Sequence, residues 1–554
     1  MRNLKSIVVY FMVAIMSIIS YSDALNRWWV GGDSFLLVTI TSQKSINEIF
    51  ITPYLSTPGF TDIALYWRPV LSIFTKAVTE IAGPSPASHV AANIGLHVFT
   101  AISIGYFTSR LIERPIAGYI TAFLFALHPL GVQVVPVVSR RGDILMTLLL
   151  VLSLYSFVFY DGLESRIVAA ILITLAILTK EFAIFFTPIF PLYSWYSFSG
   201  EIRNKVSSFL IMIIPFSALG IMYIVARVAV LGQIGGKETS IILLGRITGL
   251  AGYGLSFSYP YDSIGAVATA TPQLALVFPV IGILLGIAYK YDRFKRGLNP
   301  NHIYLLIISL IIISTTFLVP YIALPFDTED PLWVRWIVTG ALWGMVVVGV
   351  VVTTIDFIRR EGTWTDLKPL SIPILWIALP LISPLLFGFS LRSGYSIMAG
   401  FCILFSILFT LTTDYFSSFS SQSISPGLIY GIFLLLLLTP LVIATPALHD
   451  YGWDSAGKTG EQTYETLVSV DEEKTESIKV RGVATQVEPH GRFSAHSLPV
   501  MQEYAYRYLL RRHGFTNISR VEGVILDHPP DSTYASQSGN TILIHYLHNR
   551  SEPQ

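Results

Sequence analysis

About thirteen mostly apolar runs occupy the first 445 residues, most of them near the ~20 residues that a helix needs to cross a bilayer. They lie near 5–25, 88–109, 115–135, 143–160, 166–179, 182–198, 206–230, 272–289, 302–324, 333–355, 369–389, 394–412 and 427–445. A backbone in lipid must satisfy its own polar groups, so runs of this kind commit a chain to a bundle of spanning helices. The fifth and sixth runs are short and meet at Lys180 and Glu181. The stretch 240–262 is apolar but rich in Gly and Ser, and reads as interfacial or re-entrant. The first run lacks a small-x-small cleavage site and leads directly into further spans, so it reads as an anchor.

Charge divides the chain. Only 13% of the 554 residues are charged, against about 25% in soluble domains. From Pro446 onward there are 10 Lys/Arg and 14 Asp/Glu, out of 36 and 35 in the whole sequence. Residues 1–445 therefore read as a membrane domain and 446–554 as a small water-soluble domain. The net charge of +1 provides no field for a polyanion, which excludes nucleic acid as a partner. Cys402 is the only cysteine, so the chain contains no internal disulfide and no cysteine-based metal site.

Lys and Arg in short loops set orientation. With Arg2 and Lys5 in the cytoplasm, the loops carrying Arg110 and Arg114, Arg203 and Lys205, Lys290 to Arg296, and Arg359 and Arg360 all fall on the same side. The acidic loop Asp327, Glu329 and Asp330 falls opposite, as does the C-terminal domain with both Asn-x-Ser sequons, at Asn517 and Asn549. The first outer loop, residues 26–87, is long and aromatic, with Trp28, Trp29, Tyr54, Tyr66 and Trp67. Its apolar content predicts short helices lying at the membrane interface.

The same topology brings polar residues to the outer ends of the spans: Asp33, Arg68, His89, Asn93, His97, His128, Arg140, Arg141, Asp143, Lys180, Glu181, Arg227 and Arg392 with Tyr395. Ionisable groups near membrane depth are costly and mark function. His89 and Asn93, four apart, share a helical face; that spacing suits a common site and equally a bond between them. Arg140 and Arg141 also suit lipid headgroups, and Asp143 suits a helix cap. Cations beside a carboxylate at such a surface fit one chemistry. The cations hold a lipid phosphate, and the carboxylate takes a proton from an incoming hydroxyl.

Seven ordered segments carry a resemblance. They are Gly32-Asp33-Ser34, Tyr66-Trp67-Arg68-Pro69-Val70, His89-Val-Ala-Ala-Asn93-Ile-Gly-Leu-His97, Phe125-Ala-Leu-His128-Pro129 with Ser139-Arg140-Arg141-Gly142-Asp143, Leu178-Thr179-Lys180-Glu181, the Tyr223–Gly232 stretch with Arg227, and Leu391-Arg392-Ser393-Gly394-Tyr395. In this order they resemble the GT-C membrane glycosyltransferases that use polyprenyl-phosphate sugars, closest to the protein O-mannosyltransferases and their tetratricopeptide-bearing relatives. The resemblance is good over 1–232, weak over 233–445 and absent from the tail, which shows no tetratricopeptide period.

What the resemblance implies is an all-α polytopic fold with a small C-terminal α/β extracytoplasmic domain, in a prokaryotic plasma membrane or the ER. It implies transfer of a sugar from a polyprenyl-phosphate donor to a protein, lipid or glycan hydroxyl, with Asp33 as base. Arg68, Arg141, Lys180 and Arg392 become donor-phosphate contacts, supported by His89, Asn93, His128, Asp143, Glu181 and Arg227. The resemblance fixes no cofactor; Asp143 and Glu181 orient these cations, or hold a divalent metal, Mg or Mn, where one is used. The alternatives are a ligase moving a preassembled glycan from lipid pyrophosphate, and a lipid-linked sugar flippase.

In the tail, runs at Ser477–Val483, Val521–Asp527 and Thr541–Leu547 read as strands and Leu498–His513 as a helix. Its seven scattered histidines have no metal-ligand spacing.

Overall fold

The computed structural model describes residues 2–31, 34–56, 66–197, 202–232, 368–383, 394–419 and 453–469, together with five strands in the tail and a few residues between them. The apolar runs at 272–289, 302–324, 333–355 and 427–445, the stretch 240–262, Asp62, and the site candidates Asp33 and Arg392 lie outside the described residues.

Ten helices cover residues 2–231: α1 (Arg2–Tyr21), α2 (Ser34–Gln43), α3 (Ile46–Ile51), α4 (Pro69–Ala82), α5 (Pro86–Leu111), α6 (Pro115–Leu127), α7 (Arg141–Phe159), α8 (Leu163–Thr179), α9 (Ile189–Ser197) and α10 (Ile202–Leu231). Two more follow, α11 (Lys368–Ala378) and α12 (Gly394–Phe419). Among the described residues, five helical stretches are long and apolar enough to cross a membrane: Leu4–Asn26, Pro86–Leu111, Val138–Phe159, Phe209–Leu231 and Gly394–Leu411. The chain is a helical membrane protein.

Burial separates centre from rim. In α12, 89% of the apolar window is buried, against 22% in α1 and 17% in α10. The outward residues of α1, such as Phe11 and Ile19, and of α10, such as Ile214 and Met222, are large and apolar, as a lipid-facing surface requires. At the centre α5 and α6 cross with backbones almost touching. A Cβ on Gly105 would lie 2.6 Å from the Gly118 carbonyl, the close approach that small residues permit in membrane helices. α12 is pinned to this pair: Tyr395 donates its hydroxyl to His97 Nδ1 at 2.6 Å, while His97 Nε2 donates to the Ala126 carbonyl at 3.0 Å. Trp376 of α11 donates to the Ser396 carbonyl at 2.7 Å.

Proline redraws two expected spans. The run at 115–135 is helical only to Leu127; His128-Pro129 then begins a 3-10 turn over Pro129–Gln133. The residue before a proline avoids the α region, and His128 sits at ψ 128. The run at 182–198 opens as a 3-10 turn, Glu181–Phe186, and becomes α9 only at Ile189, after Pro188. Within residues 26–87 the described chain forms α2, α3 and α4. Ser45 and Glu48 close a reciprocal cap on α3, and Pro69 occupies the first turn of α4, where its missing N–H costs nothing.

The tail begins with helix α13, residues 453–468, which the sequence reading does not contain. It docks on the segment after α1. Trp453 Nε1 donates to the Val132 carbonyl at 3.0 Å, Tyr464 packs on Trp28 with ring centroids 5.7 Å apart, and Arg27 lies 4.0 Å from Asp454. Five strands follow: β1 (Ile478–Val487), β2 (Leu498–Pro499), β3 (Ile518–Leu526), β4 (Ser532–Ser538) and β5 (Thr541–Leu547). β1 pairs in parallel with β3 and β5, and antiparallel with β2; β4 pairs antiparallel with β5. The expected helix at 498–513 starts instead with β2, and helical residues come only later, at Tyr506, Tyr508 and Leu510. Tyr546 joins helix to sheet, its hydroxyl 3.2 Å from Thr463 Oγ1 and accepting the Ala484 N–H at 2.6 Å.

Candidate functional site

The site is built on a junction between the segment after α1 and the turn before α7. Gly31 has φ +86, and a Cβ there would lie 2.1 Å from Val137 Cγ1, so only glycine fits. Ser139 Oγ donates to the Gly31 carbonyl at 3.1 Å. Ser34 Oγ accepts the Ser139 N–H at 3.1 Å and donates to the Val30 carbonyl at 2.5 Å. The residues on either side of Gly32 and Asp33 are thus stitched to the turn that leads into Arg140 and Arg141.

Arg141, His89 and Asn93 come together, all fully buried. Arg141 Nε donates to Asn93 Oδ1 at 2.8 Å, Nη1 to Thr75 Oγ1 at 3.2 Å, and Nη2 to His89 Nδ1 at 3.1 Å and the His89 carbonyl at 2.8 Å. Asn93 Nδ2 donates to the Val135 and Val137 carbonyls at 3.0 and 3.3 Å. Because His89 Nδ1 accepts, its proton sits on Nε2, 3.2 Å from Thr79 Oγ1. Every group that Arg141 holds is neutral, and four of its five N–H donors are engaged. Arg141, expected as a phosphate contact, ties α4, α5 and α7 together through these bonds.

The second cluster gathers where α8 ends. Lys180 Nζ reaches Asp143 Oδ1 at 2.5 Å. Glu181 receives Arg68 in a fork, Nε to Oε2 at 3.0 Å and Nη2 to Oε1 at 2.6 Å, the bidentate geometry that only Arg provides. Arg227 Nη1 lies 3.9 Å from Glu181 Oε2 and donates to the Tyr223 hydroxyl at 3.2 Å. Tyr223 stacks on Trp67 with centroids 5.7 Å apart, and the Arg68 guanidinium sits 4.3 Å from the Tyr66 ring centroid. Burial would raise the Glu181 carboxyl, but Arg68 beside it holds it at about 2. Burial lowers the Lys180 ammonium, and Arg68 and Arg140 add to that against the pull of Asp143.

Arg140 is the residue that sequence reasoning passes over as a ligand. Its Nε is buried and has no hydrogen-bond partner. Among the described residues here, Arg68 and Arg227 approach Glu181, Lys180 holds Asp143, and Arg140 lies close enough to Lys180 to lower its ammonium, four cations against two acids. His128 stands apart in role: Nδ1 accepts the Leu130 N–H at 3.1 Å and caps the turn that begins at Pro129. Each of the two carboxylates already has a cation partner, and among the described residues no three His, Cys, Asp or Glu side chains gather to hold a metal.

No family model matches the chain, and no curated protein matches it. Solved structures similar to it include the oligosaccharyltransferase AglB of Archaeoglobus fulgidus in complex with an inhibitory peptide and a dolichol-phosphate. The identity is 14% and the TM-score 0.46, covering 87% of this chain and 62% of that one. The same oligosaccharyltransferase with Zn and sulfate matches at 15% and 0.44. ArnT of Cupriavidus metallidurans bound to undecaprenyl phosphate matches at 12% and 0.31, over 86% of this chain and 82% of that one. The chain spans about 60% of the length of the oligosaccharyltransferase structures that it matches.

Proposed function

We propose that the chain is a GT-C membrane glycosyltransferase that moves a sugar from a polyprenyl-phosphate donor to an acceptor hydroxyl on the extracytoplasmic side. The observation that carries this reading is the unmatched positive charge around Arg140, whose buried Nε has no partner. A buried N–H without an acceptor is costly, and an anionic ligand removes that cost. Arg140 and Lys180 take the donor phosphate, and Arg68 stands behind them, aligned by Glu181. Lys180 has only one of its three N–H donors on Asp143.

Asp33 is the base. It accepts the acceptor hydroxyl proton as that oxygen attacks C1 of the sugar, and the C1–O bond to phosphate breaks with its electrons moving to the phosphate. Attack opposite the leaving group inverts C1. The phosphate gains charge as the bond breaks, and pre-placed cations favour that state. A second reading rests on the size of the charge excess. Four cations, Arg68, Arg140, Lys180 and Arg227, meet the two described carboxylates, and this excess of two suits a pyrophosphate as well as a phosphate that is becoming a dianion.

Purified protein in lipid nanodiscs, offered polyprenyl-phosphate sugars and polyprenyl-pyrophosphate oligosaccharides side by side, separates the two. Transfer or slow hydrolysis of the monophosphate donor is the expected result. Turnover of the pyrophosphate donor alone would replace this reading with the ligase, and turnover of neither, in a folded protein, would remove both.

A further inference from the structure

The sheet of the tail has two faces, because successive side chains on a strand point opposite ways. Val480, Ile542 and Ile544 are buried on one of them, and there Tyr546 meets Thr463 of α13. The other face carries a cluster of cations and an exposed aromatic ring. We propose that this second face binds an acidic saccharide, its acid group held by Lys479, Arg481 and Arg520 and a neighbouring sugar ring laid on Tyr534.

Strand register places the two parts together. Lys479 pairs with Arg520 and Arg481 with Glu522 across β1 and β3. On the other side of β1, Arg481 pairs with Leu543, and two residues on along β5, His545 pairs with Tyr534 of β4. Residues two apart share a face, so the cations and the Tyr534 ring lie on one surface, with β4 two strands or about 10 Å from β1. Glu522 is ringed by the cations. Arg481 Nε lies 2.8 Å from Oε2, and Arg520 Nε and Lys479 Nζ lie 3.0 and 3.6 Å from Oε1. Three cations on one carboxylate leave two positive charges in excess, and about thirteen N–H donors meet about four lone-pair sites. Like charges this close repel, and exposed ion pairs add little to stability, so folding gains little by gathering them. The side chains of Arg481 and Arg520 are 47% and 66% exposed, open to an incoming anion and already aligned by Glu522, which lowers the cost of ordering them.

The part of the face over β4 and β5 is apolar and neutral. Tyr534 is 46% exposed and stacks on His545, with centroids 4.7 Å apart and planes 10° from parallel. Ser536 Oγ lies 2.7 Å from His545 Nε2, so the backing ring is itself held. The electron-rich face of an aromatic ring attracts polarised C–H groups, and one face of a pyranose presents them. Cations at one end and a flat ring at the other suit a chain in which an acidic sugar adjoins a neutral one. α13, on the opposite side of the sheet, docks on Trp28 and Val132, so this face is turned away from that contact, as a soluble ligand requires. That the saccharide belongs to the acceptor or donor glycan rests on the transferase reading; the binding itself does not.

The test uses the full chain in phosphatidylcholine nanodiscs and saturation-transfer NMR with hyaluronan and unsulfated chondroitin hexasaccharides, in which acidic and neutral sugars alternate. Chitohexaose supplies the rings without the acid, and hexaglutamate the acid without the rings. At least one acidic hexasaccharide should bind, more tightly than both controls. Its affinity should fall about tenfold in Arg481→Gln and in Arg520→Gln, the low end for a bond to a charged group. It should fall about fivefold in Tyr534→Ala, the size of a lost ring contact, and persist in Tyr534→Phe, with the unfolding temperature unchanged throughout. Binding should also persist in Arg140→Ala, so failure of the transferase reading leaves this outcome intact. No acidic hexasaccharide binding to wild type, equal binding of chitohexaose or hexaglutamate, or full affinity in folded Arg481→Gln and Arg520→Gln proteins would overturn the proposal. So would binding that is lost in Arg140→Ala.

Discussion

Arg140 and Arg141 are neighbours in sequence and opposites in environment. Arg141 is enclosed and has four donors on neutral partners from two other helices. Arg140 is partly exposed, and its buried Nε meets nothing. A cation surrounded by its own protein holds a fold together, and a cation left short of acceptors waits for a ligand. Adjacent residues therefore separate the framework of the site from its working surface.

The largest effect expected from breaking this contrast is on Arg141. Arg141→Ala removes the N–H donors that Asn93 Oδ1, His89 Nδ1 and Thr75 Oγ1 accept at a buried crossing, and such losses reach ~3–5 kcal/mol. Thermal unfolding in detergent should show a fall of several degrees or no folded protein, and any surviving activity should track the folded fraction. An Arg141→Ala protein that keeps its unfolding temperature and loses only donor affinity would return Arg141 to the binding surface.

Next comes Asp33. Asp33→Asn retains size and one acceptor oxygen but takes no proton, so transfer should fall by ~10²–10⁴-fold with the unfolding temperature and donor binding unchanged. An active Asp33→Asn enzyme would shift the base to Asp62. Arg140→Ala should lose one charge-assisted contact, ~1.5–3 kcal/mol or ~10–150-fold in kcat/KM, without loss of stability. Arg140→Lys should restore part of it. Equal unfolding losses in Arg140→Ala and Arg141→Ala would erase the contrast.

The smallest effect is on acid stability. Glu181 sits at about 2 in the folded chain, below the ~4.3 of a free glutamate. Its contribution is complete above the unfolded value and is lost as pH falls through the folded one, where the carboxyl protonates and releases Arg68. Glu181→Gln should flatten that part of the stability curve and leave the neutral region nearly parallel to wild type. An unchanged acid limb would show that the Arg68 fork contributes nothing to folding.

Much of this was legible in the sequence. The His89/Asn93 spacing, Lys180-Glu181 and Arg68 were singled out, and the structure joins them in the two clusters. Which arginine turns inward was not legible. Residues 138–140 form a 3-10 turn, so the phase at which α7 starts cannot be counted forward from an earlier helix. Helix α13 was hidden by its own packing face. Ala456, Gly457 and Gly460 are small, and glycine is a weak helix former, yet Gly457 lies against Trp28 and Val30. β4, Ser-Thr-Tyr-Ala-Ser-Gln-Ser, has almost no strand signal of its own; it is a strand because β5 pairs with it residue by residue. Local pattern fails where a partner far along the chain supplies the reason.

The docking of α13 also sets a clock. Trp453 reaches Val132 across 321 residues of sequence, and a ribosome adding ~5–20 residues per second needs tens of seconds to cover that distance. During that interval the segment Arg27–Gly31 and the turn at 128–140 have been synthesised while the helix that packs against them has not. The nascent chain, already threading its first helices into the bilayer, therefore carries an unfinished wall beside the residues that flank Asp33, and a helix made 321 residues later completes it.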